Sequence, residues 1–278
     1  MAHTPPGETG LAPPPRYLHL NGPDGRLVRW GDLVLALMVR EFKGQYRRSL
    51  LGPAWALLQP LAYLLVFLFL RGVLDIHSGS VPYALFAYVA LVPWTFFANA
   101  VTRCGPSVQA NAGILKKVAV PREVFPLAAV ATALLDLLFS GVLLAGFMVW
   151  YQTPVSWVLL WLPVLMALLV LLALGVGLGL AAVGTFKRDI LFATPFLLQF
   201  WMLATPVIYP ASQVPERWRS LFDLNPLVGL IEGFRSVILQ GQTPDMHLLG
   251  GSLVGVFLVW LLAWPLFRSV SRHFADVL

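Results

Sequence analysis

The stretch REFKGQYRRSLLGPAWALLQP, Arg40 to Pro60, sets four cations, Arg40, Lys43, Arg47 and Arg48, directly before an apolar run, with Gly52-Pro53 at the join. Upstream, Arg29, Asp32, Ala36, Arg40, Lys43 and Arg47 recur at helical intervals, and Leu27, Trp30, Val34, Met38, Phe42 and Tyr46 recur on the other side. The pattern predicts an amphipathic helix over residues 26–51 lying in a membrane surface, its basic stripe toward water and headgroups and its aromatic stripe toward acyl chains. Downstream, the chain turns into a spanning helix at Pro53, a first-turn position where the missing N–H costs nothing.

Composition fixes the solvent. Of 278 residues 58% are hydrophobic and only 12% charged, where soluble domains carry about 25% charged residues. Mean hydropathy is +0.77. Such a chain has too little polar surface to wet a soluble domain of this length. The net charge of +6 is therefore read through topology, not as a nucleic-acid footprint. Five scattered histidines and the single Cys104 offer neither a disulfide framework nor a Cys/His metal site. Residues 1–25, rich in Pro and Gly, lack the apolar core of a signal peptide and read as a cytoplasmic tail.

A crossing needs about 20 apolar residues. Six stretches qualify: 53–74, 82–103, 124–151, 155–184, 190–209 and 247–267. With both termini inside, 15 of the 19 Lys and Arg fall on the inner side, and only Arg71, Arg217, Arg219 and Arg235 fall outside. That asymmetry predicts two cytoplasmic termini. The expected architecture is an all-α membrane protein with a six-helix transmembrane domain over 52–268 and a short C-terminal tail, 269–278.

Two non-spanning segments carry information. The inner loop SVQANAGILKK, 107–117, is helix-compatible, and Lys116-Lys117 suit a helix C-terminus. A short rigid helix there, about 106–117, would take a mechanical push from a soluble partner; composition alone leaves a solvated loop as the alternative. On the outer side, residues 214–245 hold apolar pieces too short to cross, broken at Asn225-Pro226. Two short re-entrant helices fit this pattern, and a small extracellular loop subdomain is the alternative.

Chemistry is sparse. No G-x-x-x-x-G-K-[ST] loop occurs, so the chain has no nucleotide cradle of that kind. The glycines of GVGLGLAAVGTFK, Gly175, Gly177 and Gly179, suit close helix packing better than phosphate binding, as do Gly251 and Gly255. One acid, Asp136, lies mid-span, where a lipid-facing charge costs roughly 2.5–3.5 kcal/mol. It is expected to face other helices, neutral or hydrogen-bonded to Thr132 or Ser140; a place lining a path is the alternative. Tyr63, Phe67, Phe196, Phe200 and Trp201 lie deep in spans and could stack on passing sugar rings, with helix packing and lipid contact as the plainer reading.

The order of REFKGQYRRSLLGPAWALLQP, NAGILKKVAVPRE, GTFKRDI, WMLATPVIYP and FDLNPLVGLIEGFRSVIL resembles the permease subunits of type-two ABC exporters of lipid-linked polysaccharides (O antigen, capsule, teichoic acid). The likeness runs from about Arg26 to the last span. NAGILKKVAVPRE is its most specific part, whereas Gln45 stands where the pattern favours a basic or small residue. The resemblance implies a homodimer in the bacterial cytoplasmic membrane working with two copies of a separate ABC ATPase, which binds the ATP and Mg; this chain would bind no cofactor. It implies that Asn111, Ile114, Leu115, Lys116, Lys117, Pro121, Arg122 and Glu123 couple to that ATPase. Arg40, Lys43, Arg47 and Arg48 would form a gate helix near the pyrophosphate of an undecaprenyl-linked substrate, a role suited to the phosphate-gripping guanidinium fork. Asn225, Pro226 and Arg235 would belong to the outer gate. A drug-exporting ABC permease shares the topology. An intramembrane transferase or an ion-coupled transporter would need more buried acids or histidines than the spans contain.

Overall fold

Helix α1 (Pro23–Tyr46) ends where the chain must turn sharply. The Ser49 hydroxyl accepts the Gly52 N–H at 3.1 Å, and Gly52 takes φ 51°, a left-handed conformation that a side chain would strain. Pro53 then opens a single 3₁₀ turn, Gly52–Ala54, leading into α2 (Trp55–Leu74). The computed structural model describes residues 23–47, 49–74, 81–117, 120–272 and 274. The expected N-terminal tail therefore lies largely outside the described residues, as do Arg48 and the last four residues.

The described residues form helices and turns, without strands. After α2 come α3 (Tyr83–Ala110), the single turn α4 (Ala112–Leu115), α5 (Val124–Trp150), α6 (Leu162–Gly184), α7 (Arg188–Leu203), α8 (Glu216–Asp223), α9 (Pro226–Arg235) and α10 (Met246–Ser271). Five stretches are long and apolar enough to cross a membrane: Gly52–Val73, Tyr83–Ala110, Val124–Trp150, Trp157–Gly184 and Met246–Ser271. Helix α3 is the central post. Its faces pack on α5 and α6, with α2, α7 and α9 around them, and 83% of its most apolar window is buried.

The stretch expected as the fifth crossing is shorter than the sequence suggested. Helix α7 has 16 residues, about 24 Å, against a hydrocarbon core of about 30 Å. The helix stops because Pro206 supplies no N–H and disfavours helical geometry before it. The chain then turns, and the carbonyls of Pro206, Val207 and Tyr209 are taken by the Arg235 side chain.

Small residues set the helix spacing, as their pattern predicted. A Cβ on Gly177 would come 2.5 Å from Cys104 Cβ, and one on Gly255 would meet Pro226 at 2.7 Å. The tightest approach involves α9 and α10: a Cβ on Gly229 would sit 2.2 Å from the Leu248 carbonyl oxygen.

Part of the aromatic stripe of α1 meets protein. Trp30, Val34 and Leu37 pack against Val124, Phe125 and Ala128 of α5, with Ile114, Leu115 and Val120 beside them. These contacts bury Leu37, half-bury Trp30 and Val34, and seat the helix along the first half of α5.

Candidate functional site

The loop between α3 and α5 folds differently from the uniform helix over 106–117 suggested by its sequence. Helix α3 continues to Ala110, and Asn111 breaks it at φ −109°, ψ 15°. The Asn111 side chain competes with the helical ladder: its Nδ2 donates to the Ser107 carbonyl at 2.8 Å, and its Oδ1 accepts from Arg40 Nη2. One further turn, Ala112–Leu115, follows. Ile114 and Leu115 lean on the α1–α5 cluster, while Lys116, Lys117 and Pro121 are exposed and Arg122 and Glu123 half-buried. Arg40, Asn111, Gly113, Ile114 and Lys117 line a cleft of about 380 Å³ between α1 and this turn.

Deeper along α1 lies a second polar contact. Asp136, only 5% exposed, faces other helices as expected. Its partners differ from the ones proposed: the Tyr46 hydroxyl donates to Asp136 Oδ1 at 2.7 Å, and Arg103 Nη2 pairs with Oδ2. Thr132 and Ser140 are one turn away but spend their hydroxyls on backbone, Thr132 on the Ala128 carbonyl and Ser140 on those of Ala56 and Asp136. A β-hydroxyl on a helix reaches its own i−4 carbonyl more readily than a neighbouring side chain. Burial, and then the Asp136 carboxylate, push the Tyr46 hydroxyl well above its usual range, so it remains a donor.

Glu41 lies between the two contacts. Burial raises its carboxyl above the ordinary value, and Arg40, Asn111, Arg103 and Thr132 pull the other way. Arg40, Glu41 and Tyr46 of α1 thus meet Arg103 and Asn111 of the α3 end and Asp136 of α5 in one cluster.

Sequence reasoning found Asp136 and counted Arg103 only as an inner charge; it assigned no role to Glu41 or to the Tyr46 hydroxyl. The available signal was that a buried acid demands a cation. Arg103 is an interior cation of the adjacent apolar helix. Lys43 and Arg47 are exposed and lie off this cluster.

Asn225 and Arg235 fasten α9 to the end of α7 and the turn after it. Asn225 caps α9, its Oδ1 accepting the Leu227 N–H at 3.1 Å and the Trp201 indole N–H at 3.0 Å, while its Nδ2 donates to Thr205 Oγ1 at 2.9 Å. Arg235 is 1% exposed. Its Nη1 donates to Pro206 O at 2.6 Å and to Glu232 Oε1 at 2.8 Å, its Nη2 donates to Val207 O at 2.8 Å, and the guanidinium lies 3.7 Å over the Phe86 ring. Arg235 is therefore enclosed within this chain, its guanidinium taken up by main-chain carbonyls and Glu232.

The aromatic residues separate. Phe196 and Phe200 of α7 are 66% and 70% exposed. Tyr63 is half-buried, whereas Phe67 is enclosed in the core and Trp201 is held by Asn225 and stands edge-on to Phe97. Phe67 is thus packing, since its position on α2 turns it toward α3.

Residues 32–239 match the sequence pattern of the ABC-2 type transporter family. The O-antigen export system permease protein RfbA of Myxococcus xanthus is 31% identical over 255 residues, spanning 90% of this chain and 96% of that protein. The protein of the same name from Klebsiella pneumoniae is 26% identical, over 89% of this chain and 95% of its own length. The polysialic acid transport protein KpsM of Escherichia coli is 28% identical, over 76% and 83%. The chain is a member of the ABC-2 type transporter family.

Proposed function

We propose that this chain is the membrane subunit of an ATP-driven exporter that carries lipid-linked polysaccharide, most directly O antigen, across the bacterial cytoplasmic membrane. The observation that carries this reading is colinear likeness over nearly the whole length of an O-antigen permease, 90% of one chain and 96% of the other. The likeness to a polysialic acid transporter extends the substrate class to long acidic or neutral glycans.

Two copies work with two ATPase subunits, which hold the ATP and Mg. Both termini are cytoplasmic, and α7 with the turn after it makes the sixth crossing. The short α8 and α9 re-enter from the outer side. The single turn α4 with Lys116, Lys117 and Arg122 docks on the ATPase, an assignment supported by its exposed basic residues and its apolar backing of Ile114 and Leu115. Arg40, Lys43, Arg47 and Arg48 meet the pyrophosphate of the lipid carrier at the inner surface. Phe196, Phe200 and Tyr63 line the sugar path between copies, an assignment supported by the bare aromatic face of α7. The chain is path and lever, and nucleotide chemistry elsewhere supplies the free energy.

The test is purification and reconstitution. A tagged copy is expected to bring down an ABC ATPase, and the complex in liposomes is expected to move lipid-linked polysaccharide at the expense of ATP. A partner-free monomer, or a complex that hydrolyses ATP and moves only small amphiphiles, would overturn the reading.

A further inference from the structure

We infer that Tyr46, Arg103 and Asp136 form a releasable latch that positions α1 on the spanning helices, and that its opening is a required step of transport. The inference rests on the exporter reading above and adds to it three positioning residues, none of which touches substrate or nucleotide.

Sequence distance is the first argument. Tyr46 and Asp136 are 90 residues apart, Arg103 and Asp136 are 33 apart, and one carboxylate ties three separate elements. A further polar tie of α1 joins Arg40 to Asn111, at the root of the α4 turn. A push on α4 therefore reaches α1 through Asn111 and Arg40 and reaches α3 directly through the chain. The two movements converge on Asp136, about 18 Å along α5 from Val124.

The second argument is that the contact is built to change partners. Arg103 Nη1 is buried and has no hydrogen-bond partner, although buried guanidinium donors are ordinarily satisfied. Glu41, on α1, belongs to the same cluster, and the Arg103 charge favours its ionised form. A guanidinium that pairs with Asp136 and keeps a spare N–H can take a second arrangement, paired with the Glu41 carboxylate of α1. A two-state element of this kind converts a small push into a discrete shift. The third argument is the Gly52 turn just beyond Tyr46, whose positive φ and adjacent Pro53 give α1 a defined pivot against α2.

The experiment uses the full chain with its ATPase in liposomes, reading export per ATP hydrolysed, together with amide hydrogen exchange of residues 37–47 in the purified complex. Tyr46→Phe deletes one hydroxyl, and Asp136→Asn deletes one charge. Each is expected to leave membrane insertion and ATPase binding intact, to speed exchange in α1 and to lower export per ATP roughly tenfold, as loss of one charge-assisted hydrogen bond shifts a two-state equilibrium. The double variant should be less impaired than the two single effects multiplied together, because both weaken the hold on one carboxylate, and Asp136→Glu should retain most of the coupling. Wild-type export per ATP in both single variants would overturn the latch. So would an Asp136→Asn chain that blocks export with α1 exchange unchanged, since that places the acid on the path. If the wild type hydrolyses ATP without exporting glycan, the exporter reading fails, and the exchange data alone decide whether Tyr46 holds α1.

Discussion

Arg235 in α9 and Arg103 in α3 are both cations inside an apolar bundle, and their surroundings differ in kind. Arg235 is 1% exposed and is held by three main-chain carbonyls, one carboxylate and an aromatic face. Backbone carbonyls cannot swing away, so this arginine fixes the turn after α7 and the α9 helix as one unit. Each arginine leaves one buried N–H without a partner, Nε of Arg235 and Nη1 of Arg103, but Arg103, with a side chain 23% exposed, pairs with a side-chain carboxylate on another helix. Side chains on three elements can exchange partners. The contrast teaches that burial of a charge does not by itself say what the charge is for. A guanidinium held by backbone is a rivet, and one shared among side chains of separate helices is a joint.

Replacing the rivet should do the most damage. Arg235→Ala leaves three carbonyls and Glu232 without their donor and should cost about 3–5 kcal/mol. Thermal unfolding in detergent would show a large drop in midpoint, with loss of α9 protection. A variant as stable as the parent would erase the distinction between the two ends.

The joint should tolerate more. Asp136→Asn keeps an acceptor for the Tyr46 hydroxyl, and Arg103 can extend its head toward water, as partly exposed arginines do. The expected cost is about 1–2 kcal/mol, read as a smaller midpoint shift by the same method. A loss equal to that of Arg235→Ala would make both arginines structural.

The smallest effect concerns pH. Burial raises the Glu41 carboxyl above its ordinary 4.5. The folded chain then holds this proton to higher pH than the unfolded chain does, so the Glu41 contribution to stability is greatest below pH 4.5 and is lost as pH rises through the raised value. Glu41→Gln should flatten that slope in pH-dependent exchange of α1. An unchanged slope would remove Glu41 from the inner cluster.

The crossings were legible because a 3.6-residue apolar run of 20 or more residues has few other uses. The helix-packing glycines were legible too, since Gly177 and Gly255 had to meet something close. The short α7 was less so: the apolar composition of 190–209 suits a span, and what ends the helix is Pro206 together with an arginine 29 residues later. The site was half legible. Asp136 stood out by its cost, but its partners lie on elements whose relative placement no periodicity encodes. The aromatic stripe of α1 showed that an apolar face exists without showing whether lipid or protein covers it.

The central claim is that the α4 turn lies on the cytoplasmic side and receives the ATPase. Gly113 is exposed, and nothing lies within 4 Å of where a Cβ would stand, so Gly113→Cys adds a reporter without strain, while the native Cys104 is fully buried. A membrane-impermeant maleimide should label that cysteine in inside-out vesicles, leave it unmodified in intact spheroplasts, and react far more slowly once the ATPase is bound. Labelling from the periplasmic face, or full reactivity in the assembled complex, would contradict the account.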